Sequence, residues 1–261
     1  SPQGEGIRSA ASTTMLRTGY STIARLTLVA ALFVTTGIAS AQSPLIPPQT
    51  PARHYPLRHD QPPGMNAYWA GMIRQPGPGD FTFVKLELSS PASIEAFAFN
   101  PPRPIPLAQN FCGMAVGQLY RMKITGLEQF PGVELYPTVE VLDRTHPPVG
   151  REAEFAVPVR LTDEEIEQAL SGRLVTKVIY VEQPQVASPF PTTDGMVVET
   201  LTPDRNLLKA ADQRGRPILI VRLGARTPDP LDQDLSFYGP GGPILVPAGS
   251  QALPPSALPP N

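Results

Sequence analysis

The chain is poor in the side chains that most often carry chemistry. Only one cysteine, Cys112, occurs in 261 residues, so no disulfide can form within the chain and stability has to come from a packed core. Histidine is limited to His54, His59 and His146. No G-x-S-x-G turn holds a nucleophilic serine, and no Gly-Lys-Ser/Thr follows a glycine-rich loop to cradle phosphate. Charged residues make up 17% and nearly cancel, at net −2, which leaves no basic footprint for nucleic acid. A membrane-spanning helix needs about 20 apolar residues. The longest apolar stretch, 26–39, is shorter and is broken by Thr27, Thr35, Thr36 and Gly37.

That stretch has the form of a secretory signal. Met15, Arg17 and Arg25 precede it as a positive n-region, and Ala39-Ser40-Ala41 follows it ahead of Gln42, the small-x-small pattern of a signal peptide cut after Ala41. Residues 1–41 are therefore expected to be a leader that is removed, leaving no transmembrane anchor. The absence of a cysteine after the small residues argues against a lipid-anchored lipoprotein. Removal takes away Arg8, Arg17, Arg25 and Glu5 and leaves 18 basic and 22 acidic side chains, net −4. The expected destination is the periplasm, the cell envelope or the medium.

Proline is abundant, with 34 residues against a usual share of about 5%. It concentrates at both ends. Residues 42–63 hold seven prolines in 22 residues and residues 226–261 hold nine in 36, so both are expected to be extended, disordered arms. Between them, 64–225 is long enough for one domain.

Within that domain the hydrophobic pattern is mostly of period two. The clearest piece is 120–144, where Tyr120, Met122 and Ile124 alternate with Arg121, Lys123 and Thr125, and Val133, Leu135, Val139 and Val141 alternate with Glu134, Tyr136, Thr138 and Glu140. Further strands are expected over 67–73, 81–88, 94–99, 154–161, 174–182, 195–201 and 218–223, the last apolar enough to be buried on both sides. Prolines in 100–106 take that segment out of regular structure, while Pro137 and Pro158 demote their strands to edges or bulges. Thr162 with Glu165 three residues on is a capping box that opens a short helix ended by Gly172. Thr202-Pro203 is expected to open a second, running to about Gln213. The pattern predicts a mainly β fold, a β-sandwich of about eight strands with two short helices. The alternative is an α+β fold whose second half is ferredoxin-like.

The stretches 120–125, 132–141 and 215–224 resemble a family of uncharacterised exported bacterial proteins with a β-rich centre and proline-rich flanks. The resemblance spans the core and not the arms. It implies export and an envelope role, and brings no catalytic or binding residues.

Candidate chemistry is thin. His54, His59 and Asp60 have metal-ligand types but lie in the proline-rich arm, where nothing holds their geometry. His146 reads as a loop residue. Cys112 sits among Phe111, Gly113, Met114 and Ala115, an apolar setting for an inert thiol, with an intermolecular disulfide as the functional alternative. Glu164 and Glu165 suit a helix N-terminus better than a glycosidase pair. Asp229, Asp232 and Asp234 lack the glycine and glutamate of a calcium loop, and 239–243 reads as flexible linker. Tyr68 with Trp69, and Phe81 with Phe83, would make an aromatic platform only if a bulge put neighbours on one face. No metal or cofactor is expected. The polar side of the 120–144 stretch, Arg121, Lys123, Glu134, Tyr136 and Glu140, is the possible contact surface. The leading expectation is a non-enzymatic structural or interaction protein of the bacterial envelope, meeting another envelope protein or a cell-wall component. A carbohydrate- or small-ligand-binding module is the alternative, and a hydrolase joining Asp143, Arg144 and His146 with Cys112 is the third.

Overall fold

The computed structural model describes residues 13–18, 58–183, 196–231 and 235–246. Ala39, Ala41 and Gln42 at the expected cleavage point, His54, Asp232 and Asp234 lie outside them. Among the described residues the chain is mainly β, as its period-two pattern predicts. The order is β1 (Thr13–Thr18), α1 (Met65–Arg74), β2 (Phe81–Leu88), β3 (Ser93–Ala98), β4 (Arg103–Pro106), β5 (Phe111–Ala115), β6 (Leu119–Thr125), β7 (Thr138–Val141), β8 (Val157–Leu161), α2 (Asp163–Leu170), β9 (Val175–Glu182), β10 (Met196–Leu201), α3 (Leu207–Arg214), β11 (Gly215–Leu223) and β12 (Ile244–Leu245).

The strands form an eight-stranded sheet, β10-β1-β9-β11-β7-β6-β3-β4, and a four-stranded sheet, β12-β5-β2-β8. One buried cluster joins them, with Val84, Leu86, Met114 and Val159 of the smaller sheet and Ile94, Met122, Val139 and Val221 of the larger. A second cluster lies on helices, where Val178, Tyr180 and Ile220 of the larger sheet meet Ala70 of α1 and Leu207, Leu208 and Ala211 of α3. The middle of the larger sheet is thus covered on both faces, and all four residues of β7 are buried. The same double cover accounts for the unbroken apolar run of β11. The ferredoxin-like alternative fails on connectivity, because β8 belongs to the smaller sheet while β9, β10 and β11 belong to the larger.

Proline positions follow the loss of a ladder donor. Pro104 and Pro106 lie on β4 and Pro158 on β8, each the last strand of its sheet. Residues 103–106 are therefore an edge strand rather than irregular. Pro217 sits at a register shift of β11. Pro137 does not put β7 at an edge, since β7 lies between β11 and β6. The ladder begins at Thr138, just past the proline, and the Pro137 carbonyl still accepts the Met122 N–H at 2.8 Å.

α2 forms as the capping box predicts. Thr162 Oγ1 accepts the Glu165 N–H and Glu165 Oε2 accepts the Thr162 N–H at 3.0 Å. Ile166 is fully buried in the inter-sheet core, which is worth about 1.5–3 kcal/mol. Glu165 Oε2 also receives buried Lys177 Nζ at 2.6 Å. α3 starts later than expected, with Asn206 and not Thr202 as its cap, Oδ1 accepting the Lys209 N–H at 3.2 Å.

Two further expectations are corrected. Residues 67–73 are helical, not a strand. A short apolar run is ambiguous between the two, and the tie is broken by a small-residue face. Asn66, Ala67 and Ala70 turn inward, and Gly71 lies backbone to backbone on Gly117, where a Cβ would come within 2.9 Å of the Gly71 Cα. The C-terminal arm also returns to the sheet. A 3₁₀ turn spans Leu235–Tyr238, β12 pairs with β5, Tyr120 Oη donates to the Pro243 carbonyl at 2.7 Å and the Phe99 N–H to the Gly242 carbonyl at 2.9 Å. Residues 239–243 are thus held in place and not a free linker.

β1 falls inside the segment whose removal is expected. It runs parallel to β9 and antiparallel to β10, and among the described residues β10 pairs with β1 alone. Cleavage after Ala41 would leave β10 without a hydrogen-bonded neighbour. Amide exchange over 196–201 should therefore be faster in residues 42–261 than in the full chain, with 215–223 unchanged; equal protection of 196–201 in the two would count against this register.

Candidate functional site

Four of the five residues of the hairpin face singled out by alternation lie together. Lys123 Nζ lies 2.7 Å from Glu134 Oε1, Tyr136 Oη donates to Glu134 Oε2 at 2.6 Å, and Arg121 donates to the Tyr136 carbonyl at 3.1 Å. Lys123, then the Tyr136 hydroxyl, hold the Glu134 carboxyl below its ordinary range, and Glu134 in turn raises Lys123. Burial and then Glu134 raise Tyr136. The returning tail covers this face: Phe237 meets Tyr136 edge-on with ring centroids 5.3 Å apart, and Tyr238 stacks on Phe97 at 4.0 Å.

Glu140 does not belong to that surface. Its carboxylate is 0% exposed and ion-paired with Arg222 of β11. Glu140 Oε2 also accepts the Ala67 N–H at 3.1 Å, a first-turn amide of α1, whose N-cap Gly64 has no side chain to offer. Arg222 donates onward to the carbonyls of His59 (3.0 Å) and Gln61 (3.3 Å) in the arm. The alternation was right about the face and wrong about the solvent, because α1 and the arm lie over it.

Where the cover is incomplete, a cleft of about 380 Å³ remains between the arm, β6, β7 and the chain after β11. Arg121, Arg222 and Arg226 line it, with Thr138, Gln61 and Tyr136. Arg121 lies 4.2 Å over the Phe237 ring centroid and Arg226 lies 5.6 Å from the same centroid. Burial, and then the charge of Arg226, lower the Arg121 pKa. A lone arginine inside an otherwise apolar strand was the available sequence signal, since a buried guanidinium demands a carboxylate.

The outward face of α1 is the second feature. Met65, Tyr68, Trp69, Met72 and Ile73 fall at i, i+3, i+4, i+7 and i+8, and Tyr68, Met72 and Ile73 are 54%, 57% and 53% exposed. The Tyr68 and Trp69 rings touch edge-on, 5.5 Å between centroids, as helical geometry allows and an extended strand would not.

Comparison with family models, curated proteins and solved structures finds no match to this chain.

The remaining candidates separate. Cys112 is fully buried in the inter-sheet core and burial pushes its thiol up to about 12. Asp143 holds Arg74 at 2.7 Å and Arg216 at 2.9 Å, Arg144 pairs with Asp80, and His146 lines a different cleft of about 330 Å³ with Phe155 and Arg216. The proposed grouping of Asp143, Arg144 and His146 with Cys112 does not assemble. Phe83 stacks on Phe111, centroids 5.7 Å apart. His59 Nδ1 approaches Asn206 Oδ1 at 3.4 Å, and Asp60 pairs with Arg58. Asp229 Oδ1 accepts the Leu231 N–H at 2.9 Å. Among the described residues no three His, Cys, Asp or Glu side chains converge to hold a metal ion.

Removing Glu140 strands a buried guanidinium, so Glu140→Ala should cost about 3–5 kcal/mol in urea unfolding, and Arg222→Leu on top of it should restore part of the loss; an additive double variant would contradict the pairing. For Cys112, the folded thiol ionises near 12 against an ordinary 9.0. Its contribution is complete below pH 9 and is lost as pH climbs towards 12. Stability of the wild type should fall more steeply across that window than that of Cys112→Ala, and a thiol reagent should modify Cys112 only in denaturant.

Proposed function

We propose that this chain is a non-enzymatic interaction protein of the bacterial envelope that docks another protein through α1. The observation that carries the reading is the α1 stripe: five large apolar side chains on one helical face, turned to solvent while the small residues of the same helix make its contact with the sheet. Such a patch costs hydration without contributing to the core, and monomers rarely keep one without a use. Anchors at i, i+3, i+4 and i+7 on one helix are the pattern read by an apolar groove on a partner protein. Export is supported by the signal-like leader, and an interaction role by the enclosure of Cys112 and the double ion pairing of Asp143, which leave neither free to act as nucleophile or base.

A photo-crosslinking residue placed at Met72 in the native cell should give a discrete heterologous adduct that Ile73→Glu abolishes, whereas the same probe at exposed Lys209 on α3 should give none. Equal labelling from both positions, an adduct of two copies of this chain, or robust hydrolysis of peptidoglycan, peptide or ester by the purified protein would sink the proposal.

A further inference from the structure

The cleft beside the arm has a charge imbalance and a hydrogen-bonding imbalance that point the same way. Among the described residues most charged groups around it are paired. Glu140 neutralises Arg222, and Arg58 neutralises Asp60 at the rim. Glu134, which accepts the Tyr136 hydroxyl, is taken by Lys123. Arg121 and Arg226 have no carboxylate among the ion pairs of the described residues, yet both lie against the one Phe237 ring, and burial, then the charge of Arg226, lowers the Arg121 pKa. Two guanidinium groups on one ring, of which Arg121 is partly buried, carry a mutual repulsion that an anion between them would relieve.

The unpartnered polar atoms agree. Arg121 Nε and Thr138 Oγ1 are buried with no hydrogen-bond partner, and Thr138 as a whole is 4% exposed. Both can donate to an oxyanion, the first as one arm of a guanidinium fork, which matches carboxylate and phosphate geometry. Gln61 Oε1, also buried and unpartnered and contributed by the arm, is an acceptor for a hydroxyl or amine. Buried polar groups in native proteins are almost always satisfied, and these three converge on one cleft as donors and an acceptor that a polar ligand would meet. The volume of about 380 Å³ falls in the ordinary range for small-molecule sites, and Leu174, Pro62 and Pro63 supply apolar wall for a carbon skeleton.

We propose that this cleft binds a small molecule carrying a carboxylate or phosphate oxyanion, held between Arg121 and Arg226 with Thr138 as a hydrogen-bond donor. Arg222 sets the site without being its principal ligand, because its charge is already met by Glu140.

The test is calorimetric titration of the full chain at low ionic strength with succinate and, separately, with inorganic phosphate. Saturable binding of at least one is expected, and which one binds identifies the oxyanion. Arg226→Gln, on an exposed loop where folding is not at stake, should weaken it about tenfold, as should Thr138→Val, while Arg160→Gln on the smaller sheet should leave it unchanged. Added salt should weaken binding. Failure of both probes to bind saturably, an Arg226→Gln affinity equal to wild type, or an equal fall in Arg160→Gln would overturn the assignment. Met72→Glu should bind the anion normally, so this outcome is separate from docking through α1.

Discussion

The ion pair between Glu140 and Arg222 is the interaction on which the outer face of the large sheet depends. Both residues sit near the middle of the sheet, on β7 and β11, and both are enclosed. Each spends its remaining hydrogen-bonding capacity on a different covering segment: the carboxylate on the first turn of α1, the guanidinium on the carbonyls of the arm. A buried pair gains little over an apolar one in stability, but this one helps to specify where two covering segments lie. It fixes the N-terminal turn of α1, whose other end is tied by Arg74 to Asp143, and it holds residues 59–61 against the same face.

The same cover decides the character of the candidate sites. α1 sits low because its inward residues are small, so its large residues have nowhere to go but outward. The arm and the returning 3₁₀ turn leave a gap over Arg121 and Thr138, and that gap is the cleft. Both features are products of segments laid over the sheet, and neither belongs to a strand-borne motif.

Much of the scaffold could be read from the sequence, for local reasons. The 81–88 strand, the hairpin partner Leu119–Thr125, the Thr162 capping box and the apolar run of β11 all declare themselves within a few residues, by alternation, by cap chemistry or by two-sided burial. What could not be read depends on partners far along the chain. The helical state of 65–74 is settled by Gly117, the burial of Glu140 by Arg222 and Ala67, and the anchoring of 239–243 by Phe99 and Tyr120. Alternation assigns faces and not what lies over them, so Arg121, Lys123, Glu134 and Tyr136 do lie together, but Tyr136 and Glu140 are buried where the pattern left them in water. Arg222 and Arg226 carry no local signature beyond a cation where the pattern calls for none.

The contact of Gly71 with Gly117 has a consequence for how this surface can change over evolutionary time. Helix height over the sheet is set there by main chain against main chain, and Gly117 has a φ of +81°, a conformation that L side chains rarely adopt. A side chain at Gly117 would force the helix away, and one at Gly71 would crowd the Gly117 Cα at 3.3 Å. The five outward residues bear no part of that fit, so they are free to be exchanged for others while their mount stays fixed: α1 is a replaceable face on an invariable seat, and a change of binding preference there would leave the fold beneath it undisturbed.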